Sequence, residues 1–220
     1  MERPMDSLTG LISGVELNAD MDALITKGGE FSYIVLDIDA LFAINRDYGH
    51  DAGDAVFRLI AKHIGDIFTE PGTAYRDTRD QFDILVPDCS KEQAFLMAEQ
   101  LRDRVFKEKA GFASPDGKMM AQSISVGVSS FPEDGSRAAD ILRRADSAMM
   151  RAKKNGRNLV CLAREEKLIP KTSHYTQAQL EKLSFLSGKL DVGEAALLRE
   201  ALDVLLKMYD ADGVYRQAEA

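Results

Sequence analysis

Tryptophan is absent from this 220-residue chain, and aromatic residues make up only 7% of it. Cysteine is scarce as well. Cys89 and Cys161 lie far apart, outside any metal-type spacing, and read as buried reduced thiols. No apolar run approaches the roughly 18 residues a membrane-spanning helix needs. The N-terminus also lacks the apolar segment of a signal peptide, so the expected location is cytoplasmic with no membrane partner. Positive charge is short: 28 Lys and Arg against 36 Asp and Glu give a net charge of −8. A chain this acidic does not adhere as a whole to nucleic acid or to anionic membranes. Its length suits one sizeable domain plus a small addition.

What the chain does have is alternation of strand and helix signals. Ser13 to Lys27 carries helical spacing at Val15, Leu17, Met21, Leu24 and Ile25, and Ser32 to Ile38 reads as a buried strand. From Ala52 to Phe68 the apolar residues Val56, Phe57, Ile60, Ile64 and Ile67 form a helical stripe. Ala74 to Arg76 and Phe82 to Val86 read as a hairpin. Ser90 with Gln93 forms a capping box that opens a helix running to about Lys107. Ser123 to Ser129 alternates Ile124, Val126 and Val128 as a half-buried strand. Arg137 to Asn155 is helical and closed by Gly156, and Asn158 to Leu162 returns as a strand. The expected fold class is α/β, a mixed central sheet flanked by helices.

Chemistry concentrates at one strand end. Ile34-Val35-Leu36 runs into Asp37-Ile38-Asp39, followed by Ile44-Asn45, Tyr48-Gly49-His50-Asp51 and Gly53-Asp54. Carboxylates at the end of a buried strand, with an Asn and a further Asp beyond, are hard oxygen ligands and base-reading groups around one cleft. They suit a divalent cation and a nucleotide. The later hairpin turns at Thr78-Arg79-Asp80-Gln81-Phe82.

At these residues the chain resembles the GGDEF family, whose active members are diguanylate cyclases joining two GTP into cyclic di-GMP. The resemblance spans roughly Asp6 to Leu162. It also takes in Asp6-Ser7-Leu8-Thr9-Gly10-Leu11, Ile124-Ser125-Val126-Gly127-Val128, and Ala145-Asp146 through Ala152-Lys153 to Gly156-Arg157-Asn158. It implies a nucleotide-cyclase-like fold over residues 1–163. It further implies a Mg²⁺ site on Asp37, the Ile38 carbonyl and Asp80, guanine reading by Asn45 and Asp54, and phosphate binding by Lys153 and Arg157. The signature turn departs from the family: Thr78-Arg79 replaces two glycines, and Asp80-Gln81 replaces the acidic pair. Family glycines let the backbone approach the nucleotide, which a Cβ obstructs, and a β-branched Thr tolerates positive φ worst. Gln81 cannot ionise, so it supplies neither a charge nor a base. Phe42 stands where the family has a phosphate-contacting Lys. The family's product-inhibition motif would fall at Thr69-Glu70-Pro71-Gly72 and is missing, so feedback by cyclic di-GMP at that position is not expected.

Each site residue also has a plainer reading. Asp37 can cap a turn, and Asp54 can serve as the N-cap of the following helix. Lys153 and Arg157 sit where cations complement a helix C-terminus. The Thr78–Phe82 turn can be a solvated hairpin, and His50 a structural histidine. No sensory domain is expected ahead of the GGDEF-like part, since only five residues precede Asp6.

Residues 164–170 read as a charged linker. Beyond it, Thr172 to Tyr175 reads as a short strand. Gln177 to Lys189 is a helix with Leu180, Leu183, Phe185 and Leu186, and Glu194 to Tyr209 a second with Leu197, Leu198, Leu202, Leu205 and Leu206. The order over residues 171–220 resembles ribbon-helix-helix proteins, which pair strands between two chains and place that ribbon in DNA. A unit so small cannot bury its own apolar faces, which points to a homodimer. Thr172, His174 and Thr176, with Lys171, are the candidate base contacts. From Ala163 onward, however, eight Lys and Arg stand against ten Asp and Glu, a net −2, and phosphate contacts need basic residues. Three function classes follow. The favoured one is a catalytically degenerate GGDEF regulator that keeps guanine-nucleotide binding and works through a protein partner or dimerisation. The alternatives are an active diguanylate cyclase and a DNA-binding regulator with a nucleotide-sensing domain.

Overall fold

The computed structural model describes residues 3–70, 72–76, 80–108, 122–164, 171–190 and 192–211. The chain divides into two compact units, Met1–Glu165 and Glu166–Ala220. In the first, the described residues form a six-stranded mixed sheet. Its strands are β1 (Ile12–Ser13), β2 (Phe31–Ile38), β3 (Thr73–Arg76), β4 (Gln81–Pro87), β5 (Ile124–Phe131) and β6 (Val160–Leu162). Their spatial order is β1-β3-β4-β2-β5-β6. The β2 strand lies antiparallel to both β4 and β5, while the β1–β3 and β5–β6 pairs are parallel.

The helices of this unit are α1 (Leu17–Lys27), α2 (Leu41–Tyr48), α3 (His50–Ile67), α4 (Lys91–Lys107) and α5 (Ala138–Lys154). Alternate residues of β2 feed two separate cores, as a strand period of two requires. Ile34, Leu36 and Ile38 join Phe82, Ile84, Val126 and Val128 beneath α3 and α4. Phe31, Tyr33 and Val35 join Met21 of α1 and Ile141, Ala145 and Met149 of α5. A strand apolar on both faces is the expected result of helices on both sides of a sheet.

The β5 strand differs from the half-buried strand its alternation suggested, for Ser125, Gly127, Ser129 and Ser130 are buried too. Small residues there let α5 approach. A Cβ on Gly127 would lie 2.0 Å from the Ala145 carbonyl oxygen and 2.6 Å from the Met149 nitrogen. Ser129 Oγ donates to the Ile141 carbonyl at 2.9 Å. The Ser90–Gln93 capping box forms at the head of α4 as its spacing implied.

The region after β2 holds two helices rather than the one inferred from the stripe beginning at Ala52. The Leu41–Tyr48 helix escaped notice because it is short and only Leu41 and Ile44 are buried. Gly49, at φ +86°, separates it from α3, a conformation suited to glycine.

The second unit contains α6 (Gln177–Leu190) and α7 (Glu194–Ala211). Thr176 and Gln179 exchange hydrogen bonds in a capping-box pattern at the start of α6. Residues 171–176 form no strand in the single chain, where no neighbour supplies the hydrogen bonds a strand needs.

Candidate functional site

The end of β2 assembles four of the sequence-derived site residues, Asp37, Ile38, Asp80 and Lys153. Asp37 sits opposite Gln81 of β4 and Ser125 of β5 in the strand registers. Asp80 precedes β4, and its carbonyl accepts a long hydrogen bond from Ile38 N at 3.4 Å. Lys153, in the last turn of α5, places its Nζ 2.8 Å from an Asp37 carboxylate oxygen. Burial pushes the Asp37 carboxyl above the ordinary carboxylate range; the Lys153 ammonium opposes this, and the charges of Asp80 and Asp39 add to the rise. Asp37 is thus no simple turn cap: it is a half-shielded anion among other carboxylates, neutralised by a lysine.

Asp39 has a different role, which its place in the Asp-Ile-Asp run did not reveal. It is buried, and accepts hydrogen bonds from Ser123 Oγ at 2.7 Å, Ser125 Oγ at 2.7 Å and the Asn158 backbone N at 3.1 Å. Gln122 Nε2 adds a bond to the Asp39 carbonyl at 3.0 Å. One carboxylate therefore ties the end of β2 to the start of β5 and to the loop after α5. The backbone on either side is forced into the left-handed region at Ala40 (φ 56°), Arg157 (φ 62°) and Asn158 (φ 47°). Such conformations persist where surrounding bonds hold them. The only sequence signal was two serines at i and i+2, which any exposed strand face could carry.

Arg157 lies beyond α5, on that left-handed turn, rather than in the helix's last turn as expected, and its side chain is exposed. Lys153 is in the last turn as expected.

Asn45 and Asp54 lie on consecutive helices. Asp54 is the fifth residue of α3, so the N-cap reading fails: the helix begins at His50, after Gly49. Its carboxylate is partly exposed, 3.7 Å from Arg58 one turn on. Asn45 Oδ1 is buried with no hydrogen-bond partner among the described residues. It rests against Gly53, where an added Cβ would lie only 2.1 Å away. A buried amide oxygen left unbonded is costly, and it suits a site completed by a ligand donor. His50 is exposed.

Of the signature turn, Thr78 and Arg79 lie outside the described residues. Phe82 is fully buried. The Arg76 guanidinium lies over the rings of Phe57 and Phe82, 4.1 and 5.2 Å from their centroids, and Arg76 Nη1 donates to the Gln81 carbonyl at 3.1 Å. Arg76 therefore ties the residues that flank the turn to the core, a role that sequence reasoning missed. Phe42, in the family's lysine position, is 65% exposed.

The donor set fits a magnesium ion in kind: Asp37 and Asp80 are hard anionic donors whose charges act on one another, beside the Ile38 carbonyl. Among the described residues, no group of three or more His, Cys, Asp or Glu side chains is arranged to hold a metal. Also among them, no helix is long and apolar enough to cross a membrane.

Residues 4–159 match the protein-family model described as "Diguanylate cyclase, GGDEF domain". Diguanylate cyclase A of Treponema denticola is 36% identical over 144 residues, covering 64% of this chain and 38% of that protein. The chain spans half or less of the length of the first curated relatives it matches. Among solved structures, the active GGEEF domain of a Vibrio cholerae diguanylate cyclase is 31% identical with a TM-score of 0.64, covering 71% of this chain and 99% of that one. The coiled coil and GGDEF domain of DgcB from Caulobacter crescentus, in complex with c-di-GMP, is 27% identical with a TM-score of 0.67, covering 72% and 85%.

Proposed function

The chain belongs to the GGDEF domain family, and we propose that it is a member that binds a guanine nucleotide without joining two of them into cyclic di-GMP. The observation that carries this reading is the register of β2 and β4: Gln81, not an acid, stands directly opposite Asp37. An amide there cannot take a proton from an attacking hydroxyl, and general-base catalysis contributes about 10²–10⁴-fold to a rate. Phe42 in the lysine position and Thr78-Arg79 in the glycine positions act in the same direction. Asn45, Asp54, Lys153 and Arg157 are retained for the base and phosphates, and Asp37, Asp80 and the Ile38 carbonyl would hold magnesium. When bound, that ion would neutralise phosphate charge. The domain then acts as a nucleotide-responsive regulator of a protein partner. Incubation with GTP and Mg²⁺, with products separated by chromatography, should yield no appreciable cyclic di-GMP. Turnover comparable to that of an intact family member would overturn the reading.

The second unit supports a companion proposal, that residues 171–220 mediate homodimerisation. No residue of α6 is buried, and Leu180, Phe185, Leu186, Leu202, Leu205 and Tyr209 are exposed. Burying a Leu stabilises by roughly 1.5–3 kcal/mol, so a second copy covering this face gains substantially. Leu205→Asp should dissociate the dimer by placing an unpaired charge on that exposed face. Light scattering that finds the intact chain monomeric at micromolar concentration would reject this proposal.

A further inference from the structure

The Asp37–Lys153 ion pair joins two groups that the function above assigns to different ligands, one to a metal and one to phosphate. Their atoms are 2.8 Å apart, and the side chains are 14% and 28% exposed. A half-buried carboxylate held near Asp39 and Asp80 needs a counter-cation, and in the chain by itself Lys153 supplies it. The geometry points to Lys153 as a resident cation that a divalent metal must displace from Asp37, and that phosphate draws away. Metal and phosphate binding are then coupled through one side chain.

A divalent ion on Asp37 places two positive charges beside a third, so the Lys153 ammonium is expelled toward any nearby anion. A phosphate engaging Lys153 takes the counter-charge off Asp37 and leaves the carboxylate open to a metal. By linkage, each ligand then raises the affinity for the other by the same factor. The position of Lys153 allows both states. Its long stem rises from the end of α5, just before the Gly156-Arg157 turn, so the ammonium can move without disturbing the helix. The inference rests on the proposed retention of nucleotide binding, but its central claim concerns the metal alone.

The test uses the full chain and isothermal titration. MgCl₂ alone is titrated into the protein and into Lys153→Gln. Removal of the resident cation should tighten Mg²⁺ binding by at least about fivefold, the low end of typical coupling. Lys153→Arg, which keeps the pair, should leave Mg²⁺ affinity near that of the parent. GTP without metal is titrated in parallel. Asp37→Asn should tighten it by a similar factor, and that gain should vanish in the Lys153→Gln background. Equal Mg²⁺ affinity in Lys153→Gln and the parent, or no Mg²⁺ binding by either at millimolar concentration, overturns the inference. So does an Asp37→Asn gain that persists without Lys153, because the carboxylate would then act on phosphate directly. A parent silent to GTP even with Mg²⁺ present defeats the nucleotide-binding reading instead, and the Mg²⁺ comparison still decides the fate of the ion pair.

Discussion

Replacing Gly53 by alanine tests whether Asn45 reads a nucleotide, without touching Asn45 itself. The added methyl would lie 2.1 Å from Asn45 Oδ1 and 3.1 Å from its Cγ, so the amide must rotate away from its seat. What obstructs it is the end of a flexible side chain, not backbone, so the fold survives. Overpacking costs about 1–3 kcal/mol, and alanine in a helix interior recovers roughly 0.5–1 kcal/mol relative to glycine. Net destabilisation of about 2.5 kcal/mol or less leaves a typical domain folded. The loss should fall on binding. An amide making two hydrogen bonds to a base contributes about 1–3 kcal/mol, or about 5- to 150-fold in affinity. Calorimetric titration with GTP measures it, with urea unfolding to confirm that the variant is native. Asn45→Ala should cost a similar amount, and the double variant little more than either, because both remove the same contact. Unchanged GTP affinity in a folded Gly53→Ala protein would refute the reasoning, since the displaced amide would then have had no ligand to hold.

Two stability predictions follow from the packing. Gly127→Ala should destabilise by about 3 kcal/mol or more, because its Cβ would meet the Ala145 carbonyl and the Met149 nitrogen, backbone that cannot step aside; urea unfolding checks this. His63 is buried in α3, with Nε2 3.8 Å from Glu108, and burial holds its pKa below the ordinary 6.5 despite the opposing pull of Glu108. The unfolded chain therefore binds the proton first, so this contribution is fully present above pH 6.5 and is lost as pH falls below it. Thermal unfolding from pH 8 to 5 should show that slope flattened in His63→Leu; an identical slope in both proteins would contradict the assignment.

Much of the first unit was legible because its signals are local. The Ser90–Gln93 cap is a contact between neighbours in sequence, and the helical stripe from Val56 to Ile67 shows its period directly. Asp37, Asn45, Asp54 and Lys153 could be singled out as types in order along the chain. Their arrangement could not. The pairing of Asp37 with Lys153, 116 positions on, depends on α5 lying close against β5, which Gly127 permits and no short-range pattern encodes. Asp39 looked like a second ligand until Ser123, Ser125 and Asn158 converged on it from other segments. Sequence alone determined the longer strands and helices and the inventory of charged groups, but not β1, the short α2 or the state of residues 171–176, since propensity and periodicity act over a few residues. Only the tertiary structure decided which charges neutralise one another and which amide is left unbonded, because electrostatics and hydrogen bonding act through space, between groups that the chain itself keeps far apart.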